Sequence, residues 1–379
     1  MSGKALLIDV DSTIPNLALM HISTWRKSEG YETGFHIEDP DEVWASCIFH
    51  KNAHKLDGLR YFYPDAKIDI GGGGIDLHKT LPEGVDMMMP DYSLYPDWDS
   101  DLGFTTRGCN RGCHFCVVPR KEGRFHINQH PSEFHDPGHR SITLLDNNIL
   151  FDKDWFFEVT DWILDNNMRV DFNQGLDIRL MDRDIAKRIA QLKPIKFWHF
   201  AFDSLDYKDA VIDGIRMLND AGVNVRSKSN WYVYLHGDDQ YESALERCNI
   251  LRDLNALPYI MVNRDAPRTL RMTDLKRWTR PHIFFSTPFG DYIPNRRQDR
   301  METPMKCPGC GSAPEPVKRQ RSEIYVCECG CGWTCLGYDR DQAVRTWNHT
   351  IATETLSGKP KNSKSKTTRS ERECRFTSR

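Results

Sequence analysis

The sequence predicts an α/β protein that ends in a small cysteine-rich module. Three observations carry that prediction. Short β-branched and aromatic runs alternate with amphipathic helical stretches from residue 4 to about residue 290. Beyond about residue 300 that rhythm gives way to Cys, Gly and Pro. Nine of the 12 cysteines fall in two clusters, at positions 109–116 and 307–335.

The elements follow in chain order. "KALLIDV" at residues 4–10 is an apolar run of strand length. After Pro15, "NLALMHISTWRKSEG" has helical spacing and stops at Gly30. "EVWASCIF" and "AKIDIGG" give two further strands, so residues 1–98 are expected to form a Rossmann-like α/β domain. Gly71 to Gly74 follow a strand, where a tight turn, a plain loop or a close approach to a ligand all suit glycine.

From "ITLLDNN" through "RVDFNQGLDI", "IKFWHFAFD", "NWYVYLHG", "PYIMVNR" and "HIFFSTP", expected strands alternate with helical segments. Those segments include "DKDWFFEVTDWILDNN", "DRDIAKRIAQL" and "DAVIDGIRMLNDAG". The repeated unit implies a parallel sheet curved into a (β/α)6 partial TIM barrel over residues 99–298, with its site at the C-terminal strand ends. Residues 299–350 form the cysteine-rich module. Residues 351–379 are polar, basic and without periodicity, as expected of a disordered tail.

Composition narrows the class. A hydrophobic fraction of 39%, a charged fraction of 28% and a net charge of -3 describe a soluble globular chain. No apolar run approaches the ~20 residues of a membrane span, and the N-terminus enters a strand pattern directly, so a cytoplasmic protein without membrane contact is expected. In a reducing compartment the cysteines are metal ligands or buried thiols rather than disulfides. Cys47 and Cys248 stand in apolar periodic contexts that suit a core, and Cys374 lies in the polar tail.

"GFTTRGCNRGCHFCVVPRKEG", residues 103–123, places Cys109, Cys113 and Cys116 on one short loop. Three thiolates spaced C-x3-C-x2-C can hold three corners of an iron-sulfur cube, and the lack of a nearby fourth cysteine leaves one iron open. A structural zinc site would close with four ligands, and His114 shares a turn with Cys113, a poor position for the fourth.

At these residues the sequence resembles the radical S-adenosylmethionine (SAM) enzymes. That signature has the same spacing, with an aromatic, here Phe115, before the third cysteine and a βα series after it. The resemblance covers residues 100 to about 290. It implies a [4Fe-4S] cluster on Cys109, Cys113 and Cys116, with SAM chelating the fourth iron. It further implies reductive cleavage of SAM to a 5'-deoxyadenosyl radical and a reductant such as flavodoxin or ferredoxin. The family's glycine-rich SAM motif maps onto "ITLLDNN", so Asp146, Asn147 and Asn148 take its place without the glycines. Asn173, Gln174, Asp177 and Arg179 of "DFNQGLDIR" fall toward the mouth, and Asp203 and Ser204 at the next strand end. Arg226 and Lys228 precede the fifth strand. At each of these positions an ordinary exposed polar group at a strand end fits equally well.

The stretch "DYSLYPDWDSDLGFTTRGCNRGCHFCVVPRKEG" is also similar to the subgroup with an N-terminal cobalamin-binding-type domain and to the methylthiotransferases. The cobalamin histidine motif D-x-H-x2-G is missing. "DVDSTIPN" stands in its place, and His50 and His54 lie in other contexts, so a cobalamin-free domain is favoured and bound cobalamin would lack its histidine. The extra N-terminal cysteines of methylthiotransferases are absent, which argues against methylthiolation.

In the second cluster, Cys307 and Cys310 form a C-P-x-C-G knuckle, and Cys327, Cys329, Cys331 and Cys335 follow about twenty residues on. Two facing hairpins of this kind give tetrahedral sulfur coordination, so a zinc ribbon is read, with a second iron-sulfur cluster as the other reading. Cys327 or Cys329 with Cys331 are the favoured downstream ligands. With "AVRTWN" at its end, the pattern resembles the Lar-type and Ogr-type ribbons of bacteriophages, which implies a phage-encoded chain in a bacterial host.

"KRQR" at 318–321 and a tail with eight Lys or Arg against two Glu over residues 359–379 suit phosphate contacts, with Tyr325, Trp333 and Tyr338 available for stacking. A solubilising tail reads equally well. Taken together, these features point to a radical SAM enzyme acting on a nucleic acid, tRNA or DNA. One alternative is the same chemistry on a small molecule or protein side chain with the ribbon binding a partner, and another is a non-catalytic, metal-containing nucleic-acid-binding protein.

Overall fold

A computed structural model describes residues 3–263 and 266–292, and in the C-terminal part residues 305–307, 310–318, 325–329, 334–337, 343, 344 and 347. The chain separates into two compact units, Met1–Tyr292 and Ile293–Arg379. The larger unit is mixed α/β with parallel sheets.

The first sheet holds β1 (Lys4–Asp9), β2 (Glu32–Gly34), β3 (Glu42–Ser46) and β4 (Lys67–Gly71), all parallel in the order β2-β1-β3-β4. Alternation along β1 and β3 sorts the side chains between two layers. Leu6, Val43 and Ala45 pack with Cys47 on one face, while Ala5, Leu7 and Trp44 meet Leu19 and Ile22 of the helix Leu17–Ser28 on the other. Asn16 caps that helix, its side chain accepting from the Leu19 amide at 3.2 Å. β2 was not legible in the sequence, being three residues long and polar.

The glycine run after β4 is explained by packing. Gly72 has φ +97°, and a Cβ there would lie 2.4 Å from the Cys47 carbonyl oxygen; at Gly74 one would lie 2.7 Å from the Phe49 carbonyl carbon. The run thus lets two backbone segments touch, joined by the Gly74 amide donating to Cys47 at 2.9 Å.

In the second region β5 (Asp101–Gly103) leads into the short antiparallel pair β6 (Thr106–Arg107) and β7 (His126–Ile127), and the Cys109–Cys116 loop lies between those two strands. β8 (Ser141–Leu144), β9 (Arg169–Phe172) and β10 (Lys193–Pro194) complete a parallel sheet of order β10-β9-β8-β5. β11 (Trp198–Ala201), β12 (Ser229–Leu235) and β13 (Leu257–Val262) form a second parallel sheet in that order. A parallel bridge from Leu176 to Phe200 joins the two.

The helices Lys153–Asp165, Arg183–Gln191, Lys208–Asp220, Tyr241–Asp253 and Leu270–Trp278 alternate with these strands. Val170, Phe172, Trp198, Phe200, Trp231, Val233 and Ile260 point from the strands into one core with the helices, a core that also takes in Cys248. On the opposite face Asp171, His199 and Tyr232 are only half-buried and Tyr259 is exposed. Parallel sheets are normally covered on both faces by apolar side chains. This one is not.

One expected strand is a helix. "HIFFSTP" begins inside the helical turn Pro281–Phe284, with Pro281 in the first turn and Phe284 fully buried against Trp278. A proline fits the first helical turn, where its missing N–H has no partner to lose.

The C-terminal unit carries an antiparallel sheet of β14 (Val317–Lys318), β15 (Tyr325–Glu328) and β16 (Thr334–Gly337). Cys307, Cys327, Cys329 and Cys335 pack with Ala343, Val344 and Trp347 in its core, and the Trp347 indole donates to the Met305 carbonyl at 2.8 Å. Cys331, Trp333, Tyr338, Arg321 and the tail 351–379 with Cys374 lie outside the described residues. Among the described residues no helix is long and apolar enough to cross a membrane.

Candidate functional site

The cysteine loop is held by residues at the C-terminal ends of β8 and β9. It leaves β6 through Gly108, whose φ is +73° and where a Cβ would lie 2.2 Å from the Arg124 carbonyl oxygen, so only glycine fits. The Asn147 side chain accepts from the Gly108 amide at 2.9 Å. Asp146 Oδ1 accepts from the hydroxyls of Thr105 at 2.9 Å and Thr106 at 2.7 Å and from the Thr106 amide. Its other oxygen, Oδ2, is buried with no protein partner. Burial raises the Asp146 carboxyl to about 6 despite those hydrogen bonds.

Arg111, between the first two cysteines, pairs with Asp177 at 2.9 Å. Asp177 also accepts from Arg179 Nε at 2.6 Å and from the Asn148 amide at 3.0 Å. Burial works against its ionisation, but Arg179 and Arg111 outweigh it and hold the carboxyl below its usual range. Asn148 is buried, and its Oδ1 has no hydrogen-bond partner.

Cys109, Cys113 and Cys116 are half-buried. Burial, followed by nearby negative groups, pushes the thiols of Cys109 and Cys116 upward. Phe115 stacks on Tyr234 of β12, with ring centroids 4.3 Å apart and an interplanar angle of 24°. The Tyr234 amide donates to Asp203 Oδ1 at 2.8 Å, and the Asp203 charge acts on Cys116. Burial raises the Asp203 carboxyl. Residues from β8, β9, β11 and β12 thus converge on one loop.

The remaining expected residues make local bonds. Gln174 is exposed, with its amide toward Asn173 Oδ1 at 3.3 Å. Ser204 caps the turn Leu205–Tyr207. Arg226 and Lys228 precede β12 and so lie at the N-terminal strand ends, opposite the cysteine loop; the Arg226 guanidinium sits 4.3 Å from the Phe285 ring centroid. Thr105, Thr106, Arg111 and Tyr234 were not singled out from the sequence. Their roles come from partners dozens of residues away, which no local pattern records.

In the C-terminal unit the sulfurs of Cys307, Cys310 and Cys329 lie within 4.8 Å of one another. Cys307 and Cys329 are 3.7 Å apart. Two thiolates on one tetrahedral zinc, each at about 2.3 Å, would be about 3.8 Å apart. Cys329, the alternative to Cys327, is therefore the downstream cysteine in this group. Cys327 stands opposite Cys335 across β15 and β16.

A cavity of about 410 Å³ lies at the C-terminal end of β1, lined by residues including Asp9, Asp11, Ser12, Phe35 and Tyr95. Asp11 is occupied by the amides of Ile48 at 2.7 Å and Phe49 at 3.0 Å. No histidine lines this cavity. The chain matches no protein-family model and no curated protein.

Proposed function

We propose that this chain is a radical SAM enzyme that modifies a nucleic acid, tRNA or DNA. The observation that carries the reading is the cysteine loop itself: three half-buried thiols on one loop, tied down by Asp146, Asn147 and Asp177 at the C-terminal ends of parallel strands. The donor set fits a [4Fe-4S] cluster. Burial and nearby negative groups disfavour the thiolates of Cys109 and Cys116, and the positive charge of bound iron is what lets such a set ionise. The unpartnered Asn148 Oδ1 and Asp146 Oδ2 are acceptors beside that loop. When bound, the cluster and SAM would supply a 5'-deoxyadenosyl radical for hydrogen abstraction. The chain's own contribution is to hold the loop, stack Phe115 on Tyr234 and keep Asp177 charged between Arg111 and Arg179.

In this reading β5, β8, β9, β11, β12 and β13 are the six strands of a partial TIM barrel, preceded by a Rossmann-like layer of order β2-β1-β3-β4. The cavity at β1 offers no imidazole to a cobalt, so a cobalamin-free domain is favoured and any cobalamin held there would lack a histidine ligand. Cys307, Cys310 and Cys329 would hold zinc in a phage-type ribbon, whose basic residues bring the polymer to the enzyme. Flavodoxin or ferredoxin would serve as reductant.

Electron paramagnetic resonance tests the cofactor assignment. Anaerobically reconstituted and reduced wild type should give a [4Fe-4S]+ signal that changes when SAM is added, and Cys113→Ala should give neither. Zinc at Cys109, Cys113 and Cys116, or an unchanged signal on adding SAM, would refute the assignment.

A further inference from the structure

The strand face opposite the apolar core carries a second constellation. Asp171 on β9, His199 on β11, Asn230 and Tyr232 on β12 and Tyr259 on β13 all alternate with core-facing residues. Strand register brings His199 beside Asn230, and Tyr232 beside Tyr259. The Tyr232 hydroxyl and His199 Nδ1 are 2.5 Å apart, and the two rings meet edge-on at 5.2 Å. Tyr232 and Tyr259 also meet edge-on, at 5.9 Å, with Tyr259 51% exposed. Tyr234, two residues along the same strand face, carries the stack with Phe115 of the cysteine loop.

Several polar atoms on this face are uncommitted. Among the described residues, His199 Nε2, the Asn230 amide and the Tyr259 hydroxyl make no protein hydrogen bond. Asp171 and His199 act on each other electrostatically without forming an ion pair. Burial keeps His199 below its ordinary value. The neutral ring presents Nε2 as a donor where the Tyr232 hydroxyl donates to Nδ1, and as an acceptor where Nδ1 donates to Tyr232.

We infer that this face binds a nitrogen heterocycle of nucleobase size, its edge read by Asp171, His199 and Asn230 and its ring stacked on Tyr259. The chemistry selects that class. The cations nearest this face are already engaged: Arg169, two residues before Asp171 on β9, donates to the Ile195 carbonyl, Lys196 acts on Asp171, and Lys276 stands 5.9 Å from the Tyr259 ring centroid. A carboxylate, an imidazole nitrogen and a two-sided amide match the mixed donor and acceptor edge of a base, while an exposed tyrosine ring supplies the stacking surface. The inference deepens the proposed function and rests on it, because the cysteine loop is what makes this face the place of reaction.

Nucleoside binding tests the inference without any cofactor turnover. Adenosine, guanosine, cytidine and uridine are titrated singly into the full-length chain and followed by saturation-transfer NMR. At least one should bind wild type. Tyr259→Ala should weaken it about tenfold, the scale of one lost stack. Tyr259→Phe should bind within about twofold of wild type, and Asp171→Asn should lose affinity or change which base is preferred. Failure of all four nucleosides to bind wild type, or undiminished binding by Tyr259→Ala, would overturn the inference even if SAM is cleaved. Binding with these variant effects but without SAM cleavage would support the site and count against the enzyme class instead.

Discussion

Asp146 shows how one residue ties the strand ends to the cysteine loop. Its folded carboxyl titrates near 6 against an ordinary 3.8, because burial outweighs the hydrogen bonds from Thr105 and Thr106. The folded state therefore holds this proton more tightly than the unfolded chain. The associated stability is fully present below about pH 4 and is lost as pH rises through about 6, a difference of roughly 3 kcal/mol. Asparagine cannot ionise and keeps an acceptor for the threonines. Asp146→Asn should therefore gain melting temperature relative to wild type between about pH 4 and pH 7.5; a difference that does not change with pH would contradict this. Asp177 is the counterpart that stays charged, since Arg111 and Arg179 surround it. Both acids were legible as polar strand-end residues. Their opposite protonation behaviour was not, because it depends on partners at positions 105, 106 and 111.

At the scale of elements, the helix Lys208–Asp220 sits close to the turn that carries Asp177 and Arg179. A Cβ at Gly214 would lie 2.4 Å from Ile178 Cδ1. On an exposed helix face Gly→Ala stabilises by about 1 kcal/mol. Here overpacking costs about 1–3 kcal/mol and presses on a buried isoleucine next to Asp177. Gly214→Ala should thus be destabilised in urea unfolding and take up less iron, whereas a gain in stability would show that the helix yields. The βα rhythm itself was readable because periods of 2 and 3.6 are written into the chain, from "ITLLDNN" to "PYIMVNR". "HIFFSTP" was misread for a physical reason: a short apolar run has no period of its own, and only packing against Trp278 decides that Phe284 belongs to a helical turn. The Asp171, His199 and Tyr232 face escaped notice because its members come from three strands.

The whole molecule consists of two units. Among the described residues the core of the smaller is Cys307, Cys327, Cys329, Cys335, Ala343, Val344 and Trp347, so metal binding is expected to supply much of its folding energy. Zinc measured by mass spectrometry should approach one per chain after the iron site is removed by Cys109→Ala, Cys113→Ala and Cys116→Ala together. Adding Cys329→Ser should abolish that zinc; retention of it would place the ion on other cysteines. The proposed reaction belongs to the larger unit, and product analysis tests it most directly. Reconstituted protein is incubated anaerobically with dithionite and SAM, and 5'-deoxyadenosine is measured by mass spectrometry in wild type and in Cys113→Ala. The account predicts 5'-deoxyadenosine from wild type alone; its absence from wild type carrying a full iron complement, or equal amounts from both proteins, would contradict it.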